Sequence, residues 1–341
     1  MRDQLPIPSF FDKENIGKIW RVPYQERAQQ AKAWAKDHDI SPTAQDNFKI
    51  SLLLVDVQNT FCLPEFELFV GGRSGNGAVD DNNRLCQFIY HNLKYISTIS
   101  ATMDTHQAMQ IFHSIYLIDD EGNHPDPYTL ISVSDIQEGR WKFNPLIAES
   151  LKTTPEYGQD HLLYYAQKLA ATQKYDLTIW PYHAMLGGIG HALVPAVEEA
   201  IFFHNIARYC QVEFAIKGSN PFTEHYSALS PEVYYGQDGK PLGERIDTFL
   251  RKTISSDAVI ITGQAKSHCV SSTIADLLKN IIAYDPDLTK KVYLLEDCTS
   301  PVVIPGVIDY TDQADATFQE FSKAGMHIVR STEPLSSWPQ F

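Results

Sequence analysis

A chain of 341 residues that is 43% hydrophobic and 11% aromatic can bury a large core, yet it is long for one domain and short for two. Its formal net charge of −14 argues against nucleic-acid and anionic-membrane partners, both of which need concentrated Lys and Arg. Five scattered cysteines make neither a disulfide scaffold nor a C-x-x-C metal pair, the first residues lack the basic and apolar regions of a signal peptide, and no apolar run approaches the ~20 residues of a membrane helix, so a cytoplasmic protein is expected.

Residues 1–48 read as an N-terminal extension with one exposed helix at 24–36 and no assigned chemistry; residues 49–341 read as a single domain. The run 50–57 is almost continuously apolar, as a parallel strand covered on both faces should be, but Asp56 interrupts it near its C-terminal end. A carboxylate there is costly unless paired or used, and that edge of an open parallel sheet is where active sites lie. A helix is expected at 82–97 and a second strand at 98–103, ending in Asp104-Thr105-His106. An Asp and a His two apart at a strand end point to the same side, which suits one divalent metal. His113 is a possible extra ligand, although a core or surface histidine is the commoner use.

An insertion at about 119–176, with one helix at 160–171, is too long for an ordinary crossover and suits a lid or a subunit contact; a smaller insertion falls at about 229–241. Between them, 177–179 leads to Trp180-Pro181-Tyr182-His183, which offers a third metal ligand, then a helix at 192–207 and a strand at 214–218 carrying Lys217 at its edge. A lysine placed there can pair with Asp56. A helix at 242–252 feeds the apolar run 258–261, which ends at Gly263; a tight turn and a helix at 270–279 follow, putting Cys269 at a helix N-terminus. Free N–H groups and the helix dipole at such a point favour thiolate near neutral pH. Further elements are expected at 291–296, 312–324 and 327–330. Alternation of strands with helices implies a three-layer αβα fold with a mainly parallel sheet, and no Gly-rich nucleotide motif is present.

Five motifs in this order resemble the nicotinamidase branch of the isochorismatase-like cysteine hydrolases: Asp56-Val57-Gln58-Asn59-Thr60-Phe61, Asp104-Thr105-His106, Trp180-Pro181-Tyr182-His183, Lys217-Gly218 followed by Tyr226-Ser227-Ala228, and Gly263-Gln264-Ala265 through Cys269-Val270. The resemblance spans about residues 49–330 apart from the two insertions. It implies a thiol amidase in which Asp56 moves the proton, Lys217 stabilises charge and Cys269 attacks the amide of nicotinamide or a similar small heteroaromatic substrate, forming a thioester. It also implies an oxyanion hole from the Ala265 and Cys269 N–H groups, a cis Gln264–Ala265 peptide, and substrate contacts from Phe61, Trp180 and Tyr226. Asp104, His106 and His183 are implied ligands of a divalent metal, zinc first, with iron and manganese as alternatives. A homo-oligomer is expected. The chain departs from the family at Thr60, Ala184 and Glu224-His225, and the spacing of 74 positions from His106 to Trp180 exceeds the compact pattern. Relatives that act on other substrates, a silent binding protein on the same fold and a redox role for Cys269 are the competing readings.

Overall fold

A computed structural model describes residues 4–341 apart from 173–174, 244–250 and 252–253. Six strands form one sheet: β1 (Ile50–Val55), β2 (Ile96–Asp104), β3 (Glu213–Lys217), β4 (Ala258–Gly263), β5 (Val292–Leu295) and β6 (His327–Val329). Their order is β6-β5-β4-β1-β2-β3 and every pairing is parallel. The chain winds outward from β1 through β2 to β3, then returns to the other side of β1 with β4. The gap between the C-terminal ends of β1 and β4 is therefore the switch point, the place where an open parallel sheet leaves room for a site.

The pattern of β1 explains the three layers. All six of its residues are buried; Ile50, Leu52 and Leu54 join one apolar cluster, and Leu53 and Val55 join another. The first cluster is completed by α2 (Gly77–His91) and α4 (Pro195–Arg208), through Leu85, Phe88, Val197 and Ile201. The second takes Ile274, Leu277 and Ile281 from α5 (Ser271–Tyr284) and Phe318 from α6 (Thr311–Lys323). Side chains that alternate along a strand thus serve two helical layers.

The first helix, α1 (Tyr24–Asp37), packs on α4 and is not a free surface helix: Ala31 and Arg27 are buried, Arg27 Nε lies 2.5 Å from Glu199 Oε1, and its guanidinium sits 4.0 Å over the Phe10 ring. The helix expected at 82–97 is α2, which starts and ends earlier; β2 already begins at Ile96, where the β-branched Ile96, Thr98 and Ile99 favour a strand. The helix expected at 242–252 falls mostly outside the described residues. The long segment after His113 builds its own apolar cluster, in which α3 (Pro155–Thr172) contributes Leu162, Tyr165 and Leu169 against Tyr116, Phe143 and Ile179. No helix among the described residues is long and apolar enough to cross a membrane.

Candidate active site

β1 stops at Val55, and Asp56 turns left-handed (φ 48°) with no exposed surface. Across the β1–β2 boundary the Thr102 hydroxyl donates to Asp56 Oδ1 at 2.5 Å and accepts from the Asp56 N–H at 2.9 Å. On the other side Gly263 pairs with Val55 at φ 123°, where an added Cβ would lie 2.0 Å from the Val55 carbonyl oxygen, so only glycine lets β4 close against β1 here. Lys217 ends β3 and its stem passes the end of β2. Its Nζ lies 2.9 Å from Asp56 Oδ2 and 3.0 Å from Asp104 Oδ1, donates to the His225 carbonyl at 2.9 Å, and approaches Cys269 Sγ at 3.6 Å. One ammonium thus faces two carboxylates and the thiol.

Burial would lower Lys217, but Asp104, Asp56 and Cys269 outweigh it and hold the ammonium well above its ordinary value. Asp56 is raised, first by burial and then by the charge of Asp104, against the pull of Lys217. Cys269 corrects the expectation of a ready thiolate. It sits inside a π-helical turn, Lys266–Val270, that precedes α5, and burial pushes its thiol well up, with Asp56 and Asp104 adding to the rise against Lys217. Burial disfavours the charged sulfur first, and the nearby carboxylates oppose a further negative charge. Burial and these charges bias the sulfur toward the thiol, and Asp56 is its hydrogen-bonding neighbour. The Gln264–Ala265 peptide is cis, and Ala265 and Cys269 both line the cleft above.

Asp104, His106 and His183 are buried and each brings one ligand atom to within 4.8 Å of the others. Nε2 of His106 is 2.8 Å and Nε2 of His183 3.8 Å from the same oxygen, Asp104 Oδ2. Both Nδ1 atoms face backbone carbonyls, of Gly218 at 3.0 Å and Pro181 at 2.7 Å. A carbonyl only accepts, so each Nδ1 holds a proton and each Nε2 turns toward the carboxylate, the arrangement that backbone carbonyls behind the ring impose on metal-binding imidazoles. The residues present fit a divalent cation, with an N₂O donor set suited to zinc, iron or manganese. Gly218 (φ 86°) permits this: an added Cβ would lie 2.6 Å from both Asp104 Oδ1 and His106 Cε1. His113 stands outside the trio; its Nδ1 faces the Ala108 carbonyl at 3.1 Å and its ring centroid is 5.8 Å from that of His183.

Above these groups opens a cleft of about 740 Å³, counting its open mouth. Phe61, Phe112, Trp180 and Tyr226 supply rings, and Val302, Val303 and Ile304 supply an aliphatic edge. Phe61 meets His183 at 5.7 Å between centroids. The inserted segment reaches the cleft through Tyr128, whose ring stands edge-on to Trp180 at 6.1 Å.

All the site residues named from the sequence gather at this edge of the sheet: Asp56, Lys217 and Cys269 at the base, Asp104, His106 and His183 beside them, and Phe61, Trp180, Tyr226 and Ala265 on the walls. Several partners carried no earlier assignment. Gln58 accepts from the Asp104 N–H and donates to the Asp104 carbonyl, both at 2.8 Å, clamping the end of β2; it stands inside the quoted D-x-Q motif, which was the available signal. Thr102 had no such signal; Glu224 stood out only as a departure from the family pattern, and His268 lay within the stretch from Gly263 to Val270 with no role attached.

No protein-family model matches the chain, and no curated protein matches its sequence. Solved structures do match. Yeast nicotinamidase Pnc1p bound to the inhibitor nicotinaldehyde aligns with a TM-score of 0.50 at 17% identity, covering 82% of this chain and 99% of that one. A nicotinamidase/pyrazinamidase of Acinetobacter baumanii gives 0.49 at 18% identity, covering 84% and 98%, and a Pyrococcus horikoshii pyrazinamidase in complex with zinc gives 0.43 at 17%, covering 82% and 98%. Likeness at such identities speaks to architecture, and the sheet order, the switch point and the helical layers agree with it: the chain has the α/β fold of the isochorismatase-like hydrolases, shared with yeast nicotinamidase.

Proposed function

We propose that this chain is a metal-containing cysteine amidohydrolase that cleaves nicotinamide or a similar small heteroaromatic amide. The observation that carries the reading is the Lys217 ammonium, 2.9 Å from Asp56 and 3.6 Å from Cys269 at the base of a ring-lined cleft. Asp56 takes the thiol proton as Sγ attacks the amide carbonyl carbon. The C–N bond breaks, the amine leaves with that proton, and an acyl thioester remains on Cys269. Water then adds to the thioester carbonyl and gives a proton to Asp56; the C–S bond breaks, the carboxylic acid departs, and the proton returns to sulfur. Lys217 stays charged and balances Asp56 whenever Asp56 is ionised. The Ala265 and Cys269 N–H groups hold the carbonyl oxygen as it gains charge. Phe61, Trp180 and Tyr226 hold the ring. A divalent ion bound by Asp104, His106 and His183 supplies a Lewis acid for a ring nitrogen or a water.

Tyr128 favours a second substrate range within the same chemistry, because a ring delivered by the inserted segment reshapes the cleft. The test is ammonia release from nicotinamide, pyrazinamide, benzamide and acyclic carboxamides, run beside metal analysis of the purified protein. The reading expects release from ring-bearing amides, its loss in Cys269→Ala, and a bound divalent ion. Absence of release from every amide by the metal-loaded protein, or full activity in Cys269→Ala, would overturn it.

A further inference from the structure

One wall of the cleft is held by a carboxylate that, among the described residues, faces no lysine or arginine. Trp180 Nε1 donates to the Tyr226 hydroxyl oxygen at 2.8 Å and lies 3.3 Å from Glu224 Oε1; the Tyr226 hydroxyl donates to the same Oε1 at 2.6 Å. Oε2 of Glu224 accepts from the Tyr165 hydroxyl at 2.9 Å, and that hydroxyl accepts from the Glu224 N–H at 3.0 Å. Glu224, Trp180 and Tyr226 line the cleft, whereas Tyr165 is fully buried on α3 of the inserted segment and lies behind it.

The groups acting on Glu224 are Tyr226, Tyr165, Trp180 and the carboxylate of Glu232, and burial with the Glu232 charge pushes it up to about 7. A buried carboxylate with only neutral donors costs more than an apolar residue of the same size. In return it fixes two rings at once: Oε1 holds both Trp180 and Tyr226, and a carboxylate with three donors has little freedom to turn. Both rings also touch His268, at centroid distances of 5.7 and 5.5 Å, and His268 immediately precedes Cys269. The wall therefore stands beside the thiol.

We propose that Glu224, anchored from behind by Tyr165, is a positioning residue that fixes the Trp180 and Tyr226 rings as the surface against which a planar acyl group lies, so that the inserted segment sets the preference for ring-bearing over small acyclic substrates. This rests on Cys269 being the nucleophile. Flat contact between a substrate ring and fixed aromatic rings is worth enough to change relative rates by about fivefold.

The experiment compares alkylation of Cys269 by iodoacetamide and by N-benzyl iodoacetamide, two reagents with the same electrophilic carbon, one of which carries a ring. Rates are read by mass spectrometry of the Cys269 peptide. The unmodified protein is expected to favour the benzyl reagent by about fivefold or more, and Glu224→Gln and Tyr165→Phe to bring the ratio toward one with the iodoacetamide rate kept within about twofold. Tyr165→Phe removes one hydroxyl that never touches the cleft, so it carries the test if Glu224→Gln does not fold. A ratio near one in the unmodified protein, an unchanged ratio in the variants, or equal slowing with both reagents would overturn the proposal. A Cys269 that resists both reagents in the unmodified protein would overturn the thiol reading, and this inference with it.

Discussion

Two of the buried carboxylates at the cleft, Asp56 beneath it and Glu224 in its wall, have different surroundings. Asp56, with no exposed surface, faces an ammonium at 2.9 Å; Glu224, 2% exposed, is held by two tyrosines and a tryptophan and, among the described residues, faces no lysine or arginine. In the proposed mechanism the first arrangement keeps charge in place where a proton moves. The second places a weakly acidic group where geometry, not charge transfer, is the demand. Both depend on burial, yet removing a partner has opposite consequences: at Lys217 it leaves Asp56 and Asp104 uncompensated, while at Glu224 it removes the uncompensated charge itself.

The largest effect comes from breaking the first arrangement. Lys217→Met is expected to lower turnover by roughly three or more orders of magnitude, since residues that act as a unit fail together. It should also cost about 3–5 kcal/mol in chemical denaturation, the penalty for leaving buried charge unpaired. A variant as stable and active as the parent would mean that the ammonium compensates nothing. His183→Ala comes next. It should reduce affinity for a divalent ion by about 100-fold or more in a chelator competition, since two donors cannot hold what three do. The fold should survive, because the apolar clusters around β1 do not include His183. Unchanged metal content would make Trp180-Pro181-Tyr182-His183 a packing motif.

Glu224 gives a smaller effect with a definite sign. Its value in the fold is about 7 against an ordinary 4.5, so its contribution to stability is fully present below about pH 4.5 and is lost as pH rises through 7. The stability of the parent relative to Glu224→Gln should thus fall by about 3 kcal/mol between pH 4.5 and pH 8 in urea titrations. A flat difference, or one that rises, would place a cation beside Glu224. The smallest effect belongs to Cys210→Ser, a partly exposed thiol that lies outside the cleft, for which turnover should be unchanged.

The contrast between the carboxylates also marks what could be read from the sequence. Asp56, Lys217 and Cys269 were legible because each follows an apolar run that had to be a buried strand, and strand ends on one edge of a parallel sheet meet. The pairing of Lys217 with Asp104 as well as Asp56 was not, since it depends on β2 lying between β1 and β3, an order that local pattern does not encode. Thr102 was hidden for the same reason: its hydroxyl matters only because it faces Asp56 across two strands. Glu224 stood out only as a departure from the family pattern. Its meaning rests on Tyr165, which lies 59 residues away on a helix of the inserted segment. The end of α2 was misplaced because Tyr95 and Ile96 continue a spacing compatible with a helix, and the β-branched residues from Ile96 together with the pairing of Ile96 with Ile50 decide otherwise.

The central claim is that Cys269 carries the acyl group during turnover. Rapid acid quenching of the metal-loaded protein with a slowly hydrolysed heteroaromatic amide or ester, followed by peptide mass spectrometry, tests it directly. The account predicts a mass increase equal to the acyl group on the peptide containing Cys269, removed by hydroxylamine and absent from Asp56→Asn. Substrate turnover with no adduct on Cys269, or with the adduct on Cys62, Cys86, Cys210 or Cys298, would contradict it.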